Sequence, residues 1–244
     1  MAVILITGAG GRLGKELKKL YPDALTPSRE ELDVSDWDSV NSYISRAMPD
    51  IVIHLAAMTS VTACEERKSD AWRINVTGTL NMLRASWSAN KNCYLMLMST
   101  PCVFNGNRGM YTEEDTPCPE NFYGLTKVAA EVAVLASVLK TVVIRGNFVP
   151  REKWPHPGAF VDRWGTYLFA DDMAQGIKEI LDAGMTGIIH APGDKKMSMH
   201  ELALMTTPHV AEMRYADYLK NNVCRLTQNM TLDTVRWKKR AITK

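Results

Sequence analysis

A short apolar run that breaks into glycines constrains this chain more than any other stretch of it. Residues 2–6 read Ala-Val-Ile-Leu-Ile, and Thr7-Gly8-Ala9-Gly10-Gly11-Arg12-Leu13-Gly14 follows at once. Apolar, β-branched residues without polar alternation mark a strand buried on both faces, as in the centre of a parallel sheet. Gly8, Gly11 and Gly14 recur every third residue, which lets the chain turn tightly and pack a helix closely on that strand. Residues 13–20 then carry apolar side chains at helical spacing, with lysines opposite. Strand, glycine turn and helix in this order aim the helix N–H groups and its positive end outward, where they suit a pyrophosphate. Gly8, Gly11, Arg12, Leu13 and Gly14 are therefore expected to hold a dinucleotide.

The alternation continues along the chain. Ser35-Asp36-Trp37 opens a helix with Ser35 as the expected N-cap, and 51–55 is the next apolar strand. A helix over 70–89, a strand at 93–98, a helix over 123–139 and a strand at 141–144 follow. Residues 146–165 are rich in Pro, Gly, Trp and Arg and lack a period; 165–169, a helix over 171–182 and a strand at 187–190 then resume the rhythm. This pattern predicts an α/β fold, a Rossmann-type doubly wound parallel sheet with a small C-terminal substrate lobe. Residues 1–145 plus 166–190 are expected to form the nucleotide-binding domain, and 146–165 plus 191–244 the lobe.

Charge and cysteine content narrow the function. A net charge of +2 over 244 residues gives no reason to expect nucleic acid or an acidic membrane as partner. The basic run Arg236-Trp237-Lys238-Lys239-Arg240 is expected to be a solvated tail. Cys64, Cys93, Cys102, Cys118 and Cys224 form no C-x-x-C pair and are odd in number, so no metal site is expected and a reduced, cytoplasmic setting is. The opening apolar run is too short for a signal peptide or a membrane span.

Cofactor choice is read at the second expected strand, near 24–26. NAD enzymes place an acidic residue there for the ribose 2′-hydroxyl. Thr26-Pro27-Ser28-Arg29 stands here instead, and the hydroxyl of Ser28 with the guanidinium of Arg29 suits a 2′-phosphate. NADP is thus expected, with NAD as the alternative, and Asp33-Val34 are placed to contact the adenine.

Tyr123-Gly124-Leu125-Thr126-Lys127 sets a tyrosine and a lysine one helical turn apart. A phenol near pKa 10 exchanges protons poorly at neutral pH. An ammonium roughly 4 Å away would contribute about 4 kcal/mol and pull that pKa toward about 7. Ser99-Thr100 at the end of the preceding strand offers a hydroxyl that can hold a carbonyl toward the tyrosine.

These residues resemble the extended branch of the short-chain dehydrogenase/reductases, and within it the dTDP-4-dehydrorhamnose reductases. The likeness runs through 7–14, Glu31-Leu32-Asp33-Val34-Ser35-Asp36, His54-Leu55-Ala56-Ala57-Met58-Thr59, Asn75-Val76-Thr77-Gly78-Thr79, 99–106 and 123–131, and more weakly through 166–174 and 187–191. It implies that Thr100, Tyr123 and Lys127 are catalytic, with Tyr123 and Lys127 also touching the cofactor. Leu55, Ala56 and Ala57 would line the cofactor, and Thr59, Cys102, Val103, Phe104 and Phe148 would face a nucleotide-linked 4-keto-6-deoxy sugar. Arg151, Lys153 and Arg163 are the expected partners of the sugar's diphosphate, and a homodimer is allowed. The family's Ser-Thr-Asp-Tyr-Val-Phe-Asp-Gly is here Ser-Thr-Pro101-Cys102-Val-Phe-Asn105-Gly, and Phe148 replaces its tryptophan, so the sugar pocket is altered. Two rivals remain: an NADP-binding regulatory subunit, as in methionine adenosyltransferase, and an epimerase or dehydratase. Dehydratases generally add an acid where Pro101 and Cys102 stand.

Overall fold

Alternation within each strand decides the architecture. The computed structural model describes residues 2–243; Met1 and Lys244, the outermost residues of the two expected regions, lie outside the described residues. The main elements are β1 (Ile4–Thr7), α1 (Arg12–Leu20), α2 (Trp37–Ala47), β2 (Ile51–His54), α3 (Val61–Glu66), α4 (Lys68–Trp72), α5 (Gly78–Ala89), β3 (Tyr94–Ser99), α6 (Phe122–Leu135), β4 (Lys140–Arg145), α7 (Ala170–Asp182) and β5 (Gly187–His190). The strands form one parallel sheet in the order β1-β2-β3-β4-β5. Ile6, Ile53, Met96, Val142, Ile144 and Ile189 point to one face, where Leu13 and Leu17 of α1 and Met173, Ile177 and Ile180 of α7 cover them. Leu5, Val52, Leu95, Leu97 and Val143 point to the other, beneath Val40 and Ile44 of α2, Met82 and Leu83 of α5, and Ala130 and Val134 of α6. Each of these side chains except the smaller Ala130 contributes about 1.5–3 kcal/mol by leaving water, and helices on both faces make the sheet doubly wound.

Three local expectations change. The strand near 24–26 shrinks to one bridge between Leu25 and Leu5, with Ile6 N–H donating to Leu25 O and Leu25 N–H to Ile4 O, each at 2.8 Å. Pro27 follows closely and has no N–H with which to extend a ladder. The N-cap of α2 is Asp36, whose carboxylate accepts the Ser39 N–H, because the Ser35 hydroxyl is spent on Asp33. The helix expected over 70–89 is interrupted by a π-helical turn at Arg73–Thr77 between α4 and α5. Such turns occur often at functional sites.

Past β4 the chain pairs with its own distant segments. Asn147–Val149 pairs with Tyr167–Phe169, and Gly158–Phe160 with Ala211–Met213. Trp164–Gly165 lies between Met197–Ser198 and Asn229–Met230. The basic run is no solvated tail. Arg236 donates to the carbonyls of Thr186 and Ile188 at 3.0 and 2.8 Å, Lys238 and Arg240 pair with Glu179, and Lys239 with Asp233. No helix among the described residues is long and apolar enough to cross a membrane.

Candidate active site

Turns at the C-terminal ends of the parallel strands enclose a cleft of about 1080 Å³. Gly8, Gly11, Arg12, Leu13, Gly14, Ser28, Arg29, Asp33, Val34, Leu55, Ala56 and Ala57 line it. Thr59, Thr100, Tyr123, Lys127 and Phe148 line it as well.

The glycine turn is built for close approach. Gly8 has φ +69°, and a Cβ there would lie 2.8 Å from the Ala56 nitrogen. At Gly14 a Cβ would stand 2.5 Å from the Ala9 Cα, so helix and turn could not meet as they do. Asp36 and Asn121 cap α2 and α6 with side-chain hydrogen bonds, but Gly11 offers α1 none. The first N–H groups of α1 thus face the cleft without a side-chain partner, and its first turn holds no acidic residue. That donor set fits the pyrophosphate of a dinucleotide.

At the adenosine end Ser28 and Glu31 bind reciprocally, Ser28 N–H to the Glu31 carboxylate at 2.7 Å and Glu31 N–H to Ser28 Oγ at 3.3 Å. Arg29 is exposed and lies 3.5 Å from Asp33. Partial burial raises the Asp33 carboxyl's pKa, but hydrogen bonds from Ser35 and the Arg29 charge outweigh it and hold the group below its ordinary value. Arg67, Asp70 and Arg73 line the same cleft and were not read from the sequence. Arg73 donates to Ser35 Oγ at 2.9 Å and lies 3.8 Å from Asp70. The signal missed was the π-helical turn that carries Arg73.

A buried chain of hydrogen bonds links the glycine turn to α6. Thr79 Oγ1 donates to Asn75 O at 2.7 Å, so it can only accept from His54 Nε2 at 3.2 Å. His54 Nδ1 is then an acceptor, and Thr7 Oγ1 donates to it at 2.8 Å while accepting the Ala56 N–H at 3.2 Å. Burial first, then the Lys127 charge, lowers the His54 pKa to about 3, which agrees with a neutral ring. Asn75 accepts the Met58 N–H and donates to Met58 O and to Thr126 Oγ1, which donates to Tyr123 O. His54 and Asn75 therefore tie the 56–58 cleft wall to the helix of Tyr123 and Lys127.

Tyr123 does not follow the expected acidity. Burial pushes its phenol above the ordinary value, and the nearby thiols of Cys102 and Cys64 add to this; the Thr100 hydroxyl acts the other way. Lys127 is itself so buried that desolvation lowers its pKa to about 8, against the favourable charge of Glu131. Burial dominates the phenol's acidity, so Tyr123 is a neutral phenol and a proton donor. Thr100 Oγ1 accepts the Cys102 N–H at 3.2 Å, which leaves its own proton for another acceptor.

Several expected sugar contacts lie elsewhere. Val103 and Phe104 are core residues packed with Tyr111 and Leu232, with Phe104 stacked on Tyr111 at 4.2 Å. Cys102 is buried 3.8 Å from the Met230 sulfur and does not line the cleft. The turn Pro101–Val103 directs these side chains inward, away from Thr100. Arg151 is bound to Asp171, Asp172 and the Thr243 carbonyl, and buried Arg163 to the Thr227 carbonyl. Lys153 is exposed and, like both arginines, does not line the cleft. Local pairing has already used the two guanidiniums.

A parallel sheet with a glycine turn at one end of its cleft and a Tyr-x-x-x-Lys helix at the other defines a Rossmann-type α/β protein. Residues 1–161 match the RmlD substrate binding domain, and the chain belongs to that family. It is 31% identical over 230 residues, 84% of its length and 78% of the relative's, to a dTDP-4-dehydrorhamnose reductase from Aggregatibacter actinomycetemcomitans. Over 234 residues it is 28% identical to methionine adenosyltransferase 2 subunit beta from Rattus norvegicus, covering 82% of this chain and 70% of that one. The crystal structure of dTDP-4-dehydrorhamnose reductase from Bacillus anthracis in complex with NADP superimposes with a TM-score of 0.86 at 24% identity, over 95% of this chain and 90% of that one, and so shares the fold.

Proposed function

We propose that this chain is an NADPH-dependent reductase of a nucleotide-linked 4-keto-6-deoxy sugar, of the short-chain dehydrogenase/reductase kind. One observation carries the reading: Thr100, Tyr123 and Lys127 share a cleft with an uncapped glycine turn. The relative named dTDP-4-dehydrorhamnose reductase supports the choice of substrate, and the Bacillus anthracis reductase, whose structure contains NADP, supports the cofactor.

NADPH, when bound, supplies the hydride. Gly8 to Gly14 would hold its pyrophosphate, Ser28 and Arg29 its 2′-phosphate, Asp33 and Val34 its adenine side, and Leu55, Ala56 and Ala57 its flank. Thr100 donates its free proton to the ketone oxygen and orients it, and Tyr123, kept protonated by burial, delivers a proton to that oxygen as negative charge develops. Lys127 brings positive charge to the cleft one helical turn from Tyr123 and would bind the nicotinamide ribose. Thr59 and Phe148 flank the sugar. Residues 146–165 and the chain after 191 act as a substrate lobe, an assignment supported by their mutual strand pairing. Five free cysteines suit a cytoplasmic, reducing setting.

The similarity to methionine adenosyltransferase 2 subunit beta favours a second reading, a regulatory NADP-binding subunit. The complete set of Thr100, Tyr123 and Lys127 in one cleft argues against it. NADPH oxidation measured against a panel of nucleotide-linked 4-keto sugars separates the two. Sugar-dependent oxidation is expected; NADPH binding without turnover of any panel member, together with binding to a methionine adenosyltransferase catalytic subunit, would favour the regulatory reading.

A further inference from the structure

Against the cleft wall, reached at Ser99, lies a buried cluster that the proposed chemistry does not use directly. Glu131, Arg145, Ser99 and His190 are all at most 4% exposed. Arg145 Nε and Nη2 donate to the two Glu131 oxygens at 3.0 and 2.6 Å, and Ser99 Oγ donates to Oε1. His190 Nδ1 faces the carbonyls of Tyr111 and Asp233 at 3.1 and 2.9 Å, acceptors only, so it carries the ring proton. His190 Nε2 then accepts from Arg145 Nη1 at 3.3 Å. The Arg145 guanidinium also lies 5.1 Å from the centre of the Phe104 ring. Every partner fixes Arg145, and Arg145 with Ser99 fixes Glu131.

Glu131 stands one helical turn beyond Lys127 on α6, as Lys127 stands one turn beyond Tyr123. Burial acts against the Lys127 charge and Glu131 favours it; of the titratable groups nearby, His54 on β2 is a neutral ring and Tyr123 a neutral phenol, so Glu131 is the one that brings a countercharge. Counting charges, Lys127 and Arg145 bring two positives against the single negative of Glu131. Without that carboxylate both buried cations would lose their one acidic partner. A buried ion pair adds little stability over a well-packed apolar pair, so the cost of sealing Glu131 here calls for a task.

We propose that Glu131 is a positioning residue: its carboxylate, locked by Arg145 and Ser99 one helical turn beyond Lys127, favours the charged form of the Lys127 ammonium at the floor of the cleft. The proposal deepens the reading of Lys127 as a working cation and rests on it for its use in turnover. The electrostatic link between Glu131 and Lys127 does not depend on any substrate.

The test is therefore read without turnover. Lysine labelled with ¹³C at Cε is titrated by NMR in the full-length protein, and the Lys127 signal is assigned by its loss in Lys127→Met. Glu131→Gln is expected to lower the Lys127 midpoint by roughly one pH unit or more. Because that variant leaves Arg145 unpaired and can fail to fold, Glu131→Gln with Arg145→Met is measured in parallel. The double variant is compared with Arg145→Met alone, so that only the Glu131 carboxylate differs. A lowered midpoint in Glu131→Gln against the parent, or in the double variant against Arg145→Met where the single variant does not fold, supports the proposal. A midpoint within about 0.3 of its reference in that comparison makes Glu131 only the partner of Arg145 and overturns it. If the midpoint falls but no keto sugar is turned over by the parent, the link stands and the reductase reading fails.

Discussion

The two ends of the cleft are built from different materials. At the glycine turn the working groups are backbone N–H donors, arranged by three glycines and left uncapped. At the Tyr123 end they are titratable side chains, each buried and each controlled by the next, from Lys127 to Glu131 to Arg145. A backbone site tolerates a polar, open mouth, because its charges are partial and fixed by the fold. A side-chain site works only if burial sets the protonation of every member, which makes it costly in stability and hides its protonation states, though not its residues, from local spacing.

The sharpest break between the two ends comes from Tyr123→Phe. Turnover of the keto sugar should fall by roughly 10²–10⁴-fold, the range of a lost general acid, while NADPH affinity stays near parental. Steady-state kinetics beside fluorescence titration of NADPH read both; parental turnover would remove Tyr123 as the acid.

Lys127→Met tests the cost of the side-chain end. Lys127 titrates at an ordinary 10.5 when exposed but at about 8 in the folded chain, so the unfolded state holds the proton more strongly. Folded stability is therefore reduced below pH 8 and recovers as pH rises from 8 to 10.5. Removing the ammonium should raise stability at pH 7 by at most about 3 kcal/mol, with the gain fading toward pH 10.5, while turnover is lost. Urea unfolding at pH 7 and pH 10 measures it, and a variant less stable than the parent at pH 7 contradicts the account.

Smaller effects are expected at the open end. Arg29→Ala should shrink a preference for NADPH over NADH of about tenfold to a hundredfold, read by titrating both cofactors; equal binding of the two by the parent would show that Arg29 does not select. Gly8→Ala should weaken NADPH by about tenfold, from the roughly 1–2 kcal/mol of left-handed strain and the contact with Ala56. Turnover at saturating NADPH should then change little. A large loss of turnover there would mean that the two ends are mechanically coupled, with the Thr7–His54–Asn75 chain as the carrier.

This asymmetry also explains what could be read from the chain alone. Strand periodicity and the three glycines lead to the doubly wound sheet and the phosphate end because both follow from local spacing. The direction of the Tyr123 acidity was misjudged, since one ammonium was weighed and burial was not. Phe104 looked like a sugar contact by its place after Thr100, yet the turn at Pro101–Val103 points it into the core under Arg145. Arg151 and Arg163 looked available because their partners, Asp171, Asp172 and the Thr227 carbonyl, are far away in sequence. Glu131 was within reach: Tyr123, Lys127 and Glu131 share one four-residue spacing.

Transfer of deuterium tests the central claim most directly. NADPH carrying deuterium at the hydride position is incubated with the protein and dTDP-4-dehydrorhamnose, and the sugar product is analysed by mass spectrometry and NMR. The account predicts deuterium at the former ketone carbon in the parent and almost none in Tyr123→Phe. A parent that binds NADPH yet leaves the sugar unlabelled and the ketone intact would contradict it.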